Sequence, residues 1–168
     1  ELREVGQALS QGQVRYLLLT GPGGQGKTAL AGKLARKLQS QGYVVFAYSA
    51  RPEAANWENF IFVLQSSLEE KQLVEQVDRL WGQCSNEMQR AQLLLGALLQ
   101  QHQQRFVLFF DNLESVQDPH SYELTDKRLA TWITVAQQLT KPLVLLTSRW
   151  ELPRWNAIPY GHHLGLIH

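Results

Sequence analysis

A doubly wound α/β fold, a parallel sheet with helices on both faces, is the class this sequence predicts, and two observations predict it. Short uninterrupted apolar runs bounded by turn residues have the look of strands buried on both faces. Between them come stretches whose apolar residues recur at helical spacing. Strand and helix alternate along the chain, the pattern of a three-layer α/β/α arrangement. The 168 residues suffice for one core but not for two ordinary domains, so 1–168 is expected to be a single domain.

Tyr16-Leu17-Leu18-Leu19-Thr20 is the first apolar run. After Gly26, the residues Leu30, Ala31, Leu34, Ala35 and Leu38 share one helical face, Lys33, Arg36 and Lys37 lie opposite, and Gly42 ends the pattern. A β-rich run over 43–48 follows, so strand, helix and strand span the length that a parallel crossover requires. The middle reads as helices over 57–68, 73–81 and 88–101, the last with Met88, Ala91, Leu94, Leu95, Leu98 and Leu99 on one apolar face. A third strand over 106–110, a helix over 129–139 and a fourth strand over 143–147, introduced by Pro142, complete the alternation. Glutamines cluster at Gln100, Gln101, Gln103 and Gln104 and at Gln137 and Gln138, where the helical spacing reads them as solvated faces.

Sixteen Lys and Arg nearly balance fifteen Asp and Glu, and a formal net charge of +1 excludes the strong basic footprint of a charge-driven nucleic-acid binder. No run approaches the roughly 18 apolar residues of a membrane span, so no membrane partner is expected. The single cysteine, Cys84, allows neither an internal disulfide nor a zinc site and suits a reducing, cytoplasmic setting. With no initiator Met and an apolar stretch close to its end, the chain reads as a piece of a longer protein.

The chemistry concentrates in Gly21-Pro22-Gly23-Gly24-Gln25-Gly26-Lys27-Thr28, with Ala29 next. This is Gly, four residues, Gly, Lys and then Ser or Thr, set between a strand and a helix. The glycines let backbone N–H groups wrap phosphate oxygens, and the helix beginning near Lys27 adds its positive end. Lys27 is expected to reach the β- and γ-phosphates, and the Thr28 hydroxyl to hold a Mg²⁺ that bridges them. A glycine-rich turn that merely ends a strand is the plain alternative, but placement before a helix argues for the phosphate site. The second half of such a site is an acid ending a neighbouring buried strand, and Asp111 follows Phe106 to Phe110. Asp111 is read as the magnesium residue, with a turn cap as its alternative. Glu114, three residues on, is the candidate to orient or deprotonate water, against a solvated loop residue; Asn112 could orient water but could not take its proton. Thr147-Ser148-Arg149 closes the fourth strand at the ligand edge, and Arg149 is the candidate sensor of the γ-phosphate, against a surface arginine.

Three of these segments resemble the STAND class of P-loop NTPases, which includes the NB-ARC and NACHT switch domains. Gly21 through Ala31 matches its phosphate loop, Gly-x-Gly-Gly-x-Gly-Lys-Thr-x-Leu-Ala; Phe106 to Glu114 resembles its metal strand; and Leu143 to Arg149 resembles its strand ending in Thr-Ser-Arg. Leu164-Gly165-Leu166 is similar to the strand that closes its nucleotide domain. The resemblance implies a Mg-dependent ATP/ADP switch with slow hydrolysis, a sensor and an effector elsewhere in the same polypeptide, and a nucleotide-dependent homo-oligomer. The sequence departs from the family in places: Asn112 stands at a commonly acidic position, and the Gly-Arg segment that precedes the first helix in many relatives is missing, as are the helical and winged-helix regions that follow. Adenine is the expected base, since no Asn-Lys-x-Asp motif for guanine is present.

Two rival readings stay open. A small-molecule kinase would share the loop and the sheet but would need an arginine-rich lid, and none is evident. A non-hydrolysing domain that holds ADP as a structural ligand and serves interaction or oligomerisation would fit Asn112. Of the remaining candidates, Trp57, Trp81, Trp132, Trp150 and Trp155 read mostly as core. The adjacent His162 and His163 would point to opposite faces of a strand and so could not share a metal, and His168 reads as the remnant of a tag.

Overall fold

The computed structural model describes residues 2–51, 54–103, 105–139, 141–154, 158 and 161–166. Gln104, Trp155 and His168 lie outside the described residues. Among the described residues five strands and six helices follow in the order α1 (Leu2–Ser10), β1 (Tyr16–Thr20), α2 (Lys27–Ser40), β2 (Val44–Ser49), α3 (Ala54–Ser66), α4 (Lys71–Trp81), α5 (Glu87–Gln101), β3 (Phe106–Asp111), α6 (Lys127–Leu139), β4 (Leu143–Ser148) and β5 (Gly161–Gly165), with a 3-10 turn at Leu113–Val116 after β3. The sheet runs β2-β3-β4-β1-β5, and every pairing is parallel. All strands therefore end at one edge, where ligands of open α/β sheets bind.

The strands alternate their side chains between two cores, as a pleated sheet must. Tyr16 and Leu18 of β1, Phe106, Leu108 and Phe110 of β3, and Val144 and Leu146 of β4 join the core made with α3, α4, α5 and α6. Leu17 and Leu19, Val107 and Phe109, and Leu143 and Leu145 face the other way, toward Val5 and Leu9 of α1 and Ala31, Leu34, Ala35 and Leu38 of α2. The three layers expected from the sequence are thus present. The first core is heavily aromatic: Trp57 packs edge-on against Trp132 at 5.6 Å, and Tyr48 lies tilted against Phe60 at 5.2 Å, both close enough to add to plain area burial.

Several details differ from the sequence reading, each for a physical reason. β3 is not beside β1, because β4 is inserted between them; the acid-bearing strand is a next-nearest neighbour, and the gap is filled by the end of β4. α1 was not foreseen, yet its nine residues place Val5 and Leu9 on one buried face against α2, a pattern short enough to be missed without the packing. Met88 is 46% exposed and does not share the buried face of Ala91, Leu94, Leu95 and Leu98, because it lies in the first turn of α5. Gln101 is not a solvated face residue: its side-chain oxygen accepts from the backbone N–H of Glu69 and Glu70, and its amide donates to Ser67 O. It thereby satisfies the N–H of Glu70, the N-cap of α4, and that of Glu69 just before it. Among the described tryptophans, Trp57 and Trp132 are core, whereas Trp81 and Trp150 are half-buried. Among the described residues no helix is long and apolar enough to cross a membrane.

Candidate functional site

The loop between β1 and α2 has the shape that its glycines permit. Gly21 has φ +146°, and a Cβ there would lie 2.7 Å from Leu166 O, where the chain leaving β5 crosses the loop. Leu166 N–H also donates to Thr20 O at 2.8 Å, which fixes that crossing. Only glycine satisfies both the dihedral and the contact. Gly24 (φ +78°) and Gly26 (φ +76°) are left-handed, and Gly26 forms the N-terminal boundary of α2 with no side-chain cap. Lys27, Thr28 and Ala29 make the first turn of α2, whose unpaired N–H groups face the loop side.

Lys27 is 7% exposed, and its ammonium donates to Gly21 O at 2.7 Å and to Pro22 O at 2.9 Å. The cation thus lies folded against the loop's own carbonyls. Thr28 Oγ1 donates to Asp111 Oδ1 at 2.8 Å, so the loop touches the end of β3 directly although 83 residues separate the two in sequence. Thr147, 1% exposed at the end of β4, donates to the same carboxylate oxygen at 2.5 Å, and its hydroxyl accepts Asn112 N–H at 2.9 Å. This hydroxyl is how the inserted strand completes the site; the sequence reading passed over it in favour of Arg149.

Asn112 takes a left-handed conformation, φ 64°, which asparagine tolerates better than most residues. Its amide donates to Ala50 O at 3.4 Å and to Ser115 Oγ. The turn that follows brings Glu114 back toward the loop. A cavity of about 330 Å³ is lined by Gly23, Gly24, Gly26, Lys27, Thr28, Asn112, Glu114 and Thr147. Among the described residues Glu114 Oε2 is buried and has no hydrogen-bond partner, so this carboxylate oxygen is open to a ligand or water in the cavity. Arg149, exposed, lies across the loop: a Cβ added at Gly23 would be 3.4 Å from its guanidinium.

Lys27, Thr28, Asp111, Glu114 and Arg149 are therefore brought around one loop. Gly21, Pro22, Gln25 and Ala29 belong to the same turn but do not line the cavity, and Asp111 and Arg149 flank it without lining it. The donor set suits a phosphate ligand with a hard cation. Carboxylate and hydroxyl oxygens meet beside a lysine, and among the described residues no group of three or more His, Cys, Asp or Glu could hold a metal by itself. Magnesium has that habit, taking one or two protein oxygens and completing its shell with water and phosphate. His162 and His163 both lie on β5 and do not share a site: His163 Nε2 is 2.7 Å from Thr20 Oγ1, while His162 Nε2 is buried with no partner among the described residues.

A larger cavity of about 480 Å³ lies away from the loop, between α6 and the segment after β4, with Leu124, Ile133 and Leu152 in its wall. Lys27, Thr28 and Glu114 line the smaller cavity and none of them lines this one, so the chemistry belongs to the smaller one.

No curated protein matches the chain. A chain of the solved E. coli MS115-1 HORMA:CdnC:Trip13 complex is similar over 96% of this chain and 51% of its own length, at 12% identity and a TM-score of 0.45. This chain thus spans about half the length of that one. The family model described as AAA ATPase domain matches residues 1–146, from α1 into β4 and across the whole phosphate loop and Asp111. The chain belongs to the AAA ATPase domain family, a family of P-loop NTPases.

Proposed function

We propose that residues 1–168 form the Mg-dependent ATP/ADP-binding domain of a STAND-like signalling ATPase, a nucleotide-controlled switch with slow hydrolysis. The observation that carries this reading is the contact of Thr28 with Asp111 beside a cavity lined by Lys27 and three loop glycines. Lys27 would turn from Gly21 O and Pro22 O onto the β- and γ-phosphates, and the loop N–H groups would hold the remaining oxygens. Thr28 and Asp111 would hold magnesium, which when bound neutralises charge between the β- and γ-phosphates. Glu114, whose Oε2 has no hydrogen-bond partner among the described residues, is in the cavity wall, where it would orient or deprotonate the attacking water. Arg149, beside Gly23, would contact the γ-phosphate, a contact ADP cannot make. That difference is what would bias two conformations.

Slow turnover is supported by Asn112, whose amide is tied to Ala50 O and Ser115 Oγ and which has no carboxylate to take a proton. The same observation favours a second reading, a non-hydrolysing domain that keeps ADP as a structural ligand. A sensor and an effector elsewhere in a longer cytoplasmic polypeptide, and nucleotide-dependent self-association, complete the proposal.

The test is calorimetric titration of ADP and of a non-hydrolysable ATP analogue, each with Mg²⁺, into the wild-type chain and into Lys27→Ala. Removing a buried charge-assisted contact should weaken both nucleotides by about 10- to 100-fold. No binding to folded wild type would overturn the reading. Measurable turnover that Glu114→Gln abolishes would select the hydrolysing switch, and tight ADP binding with no turnover the alternative.

A further inference from the structure

Beyond the residues that face the phosphate cavity, a chain of contacts runs outward from Arg149 to an exposed turn. Arg149 Cζ lies 5.9 Å from the centre of the Trp150 ring, within reach of a cation–π contact. The same ring stacks with Tyr122 at 5.9 Å, with 23° between the planes. Tyr122 is 42% exposed and has φ 60°, a left-handed conformation that a bulky side chain rarely takes.

The surroundings enforce that conformation. Gln117 bridges Leu124 in antiparallel fashion, and Asp118 N–H donates to Glu123 O at 2.8 Å, closing a tight turn. Inside it Asp118 Oδ1 accepts the N–H groups of His120 and Ser121, and Tyr122 N–H donates to Asp118 O. Gln117, 6% exposed, ties this turn to the strand that bears Arg149. Its amide donates to Tyr122 O at 2.7 Å and to Glu151 O at 2.8 Å, and its oxygen accepts from the fully buried Ser148 at 2.6 Å. One side chain thus holds both flanks of Arg149, at Ser148 and Glu151, and the backbone of the residue that stacks on Trp150.

We propose that Gln117 and Tyr122 are positioning residues for Arg149: the Gln117 side chain holds the Ser148 hydroxyl on one side of it and the Glu151 backbone on the other, and the Tyr122–Trp150 stack supplies the platform that keeps its guanidinium over Gly23. This rests on the reading of Arg149 as the group that contacts the γ-phosphate. The device determines how strongly the site distinguishes a triphosphate from a diphosphate, and it carries the difference to an exposed turn.

The test measures the affinity of ADP and of a β,γ-imido ATP analogue, both with Mg²⁺, for the full chain and four variants. Arg149→Ala defines the whole preference for the triphosphate, expected at about tenfold for one charge-assisted contact. Tyr122→Ala, which removes an exposed ring, and Gln117→Glu, which keeps the shape but loses both donors, should each remove about half of that preference or more. ADP affinity should stay within about twofold of wild type, and Tyr122→Phe should behave as wild type. Trp150 emission, isolated by subtracting Trp150→Phe, should change with the triphosphate analogue and not with ADP.

Wild-type preference retained in Tyr122→Ala overturns the proposal even if Gln117→Glu fails to fold. An equal loss of both nucleotides also overturns it, as that reports general damage, and so does a wild type that binds the two nucleotides alike. A folded wild type that binds neither nucleotide overturns the phosphate-site reading itself.

Discussion

The two halves of the candidate site, the loop after β1 and the ends of β3 and β4, are built on opposite plans. The loop is one stretch of eight residues, Gly21 to Thr28, whose shape follows from where its glycines stand. The other half is assembled: Asp111, Asn112 and Thr147 meet because β4 lies beside β3, and the Thr147 hydroxyl joins the carboxylate of one residue to the backbone of the next. A local device is written in consecutive residue types. An assembled one depends on strand order, and its members taken singly look ordinary.

Experiments that break each half should show this contrast. The largest expected effect is on chemistry: Glu114→Gln should lower any ATP turnover by about 10²- to 10⁴-fold, the range for losing a general base, with nucleotide affinity retained. A single-turnover assay beside a titration checks both.

Within the loop, Gly21→Ala should cost about 3 kcal/mol of stability, because a Cβ meets Leu166 O as well as an unfavourable dihedral. Gly24→Ala, with nothing within 4 Å of the added carbon, should cost only about 1 kcal/mol from φ alone. Denaturant unfolding of the pair separates contact from dihedral.

In the assembled half, Thr147→Val keeps the volume but leaves Asn112 N–H unpaired and takes a hydrogen bond from Asp111. A loss of about 2 kcal/mol is expected in the same unfolding assay. If it matched a surface substitution instead, the two halves would not differ in the way the contacts say.

The smallest effect lies far from both halves, at the opposite edge of the sheet. Burial against Phe46 and Phe106 lowers the His102 pKa, and the nearby Glu69 and Glu70 only partly oppose this. The folded state therefore disfavours the protonated ring, and the unfolded state binds more protons as pH falls. Stability from this residue should be complete above the ordinary histidine range and decline on acidification through and below it. His102→Gln should flatten that slope in unfolding midpoints taken between pH 8 and 5.

Much of this architecture was legible before any coordinates. Continuous apolar runs such as Phe106 to Phe110 can only be strands covered on both faces, and the helical face of Leu30, Ala31, Leu34, Ala35 and Leu38 can only be amphipathic. Boundaries shifted by a residue or two, as at β2, where helix and strand ends depend on hydrogen bonds more than on side-chain type. Gln117 gave no signal at all: a glutamine is common in this chain, and only the meeting of Ser148, Glu151 and Tyr122 around it marks it as a buried junction.

By itself the sequence determined the phosphate loop, the pairing of Lys27 with Thr28, the acid at the end of a buried strand and the three-layer class. All of these follow from residue type at short range, through dihedral freedom, helix periodicity and alternating burial. Tertiary structure alone decided that β4 separates β1 from β3, that Thr147 closes the gap to Asp111, that Glu114 turns into the cavity and that Arg149 rests between Gly23 and Trp150. Strand order and loop return are settled by how two apolar cores close over one sheet, and that balance is a property of the whole chain rather than of any segment.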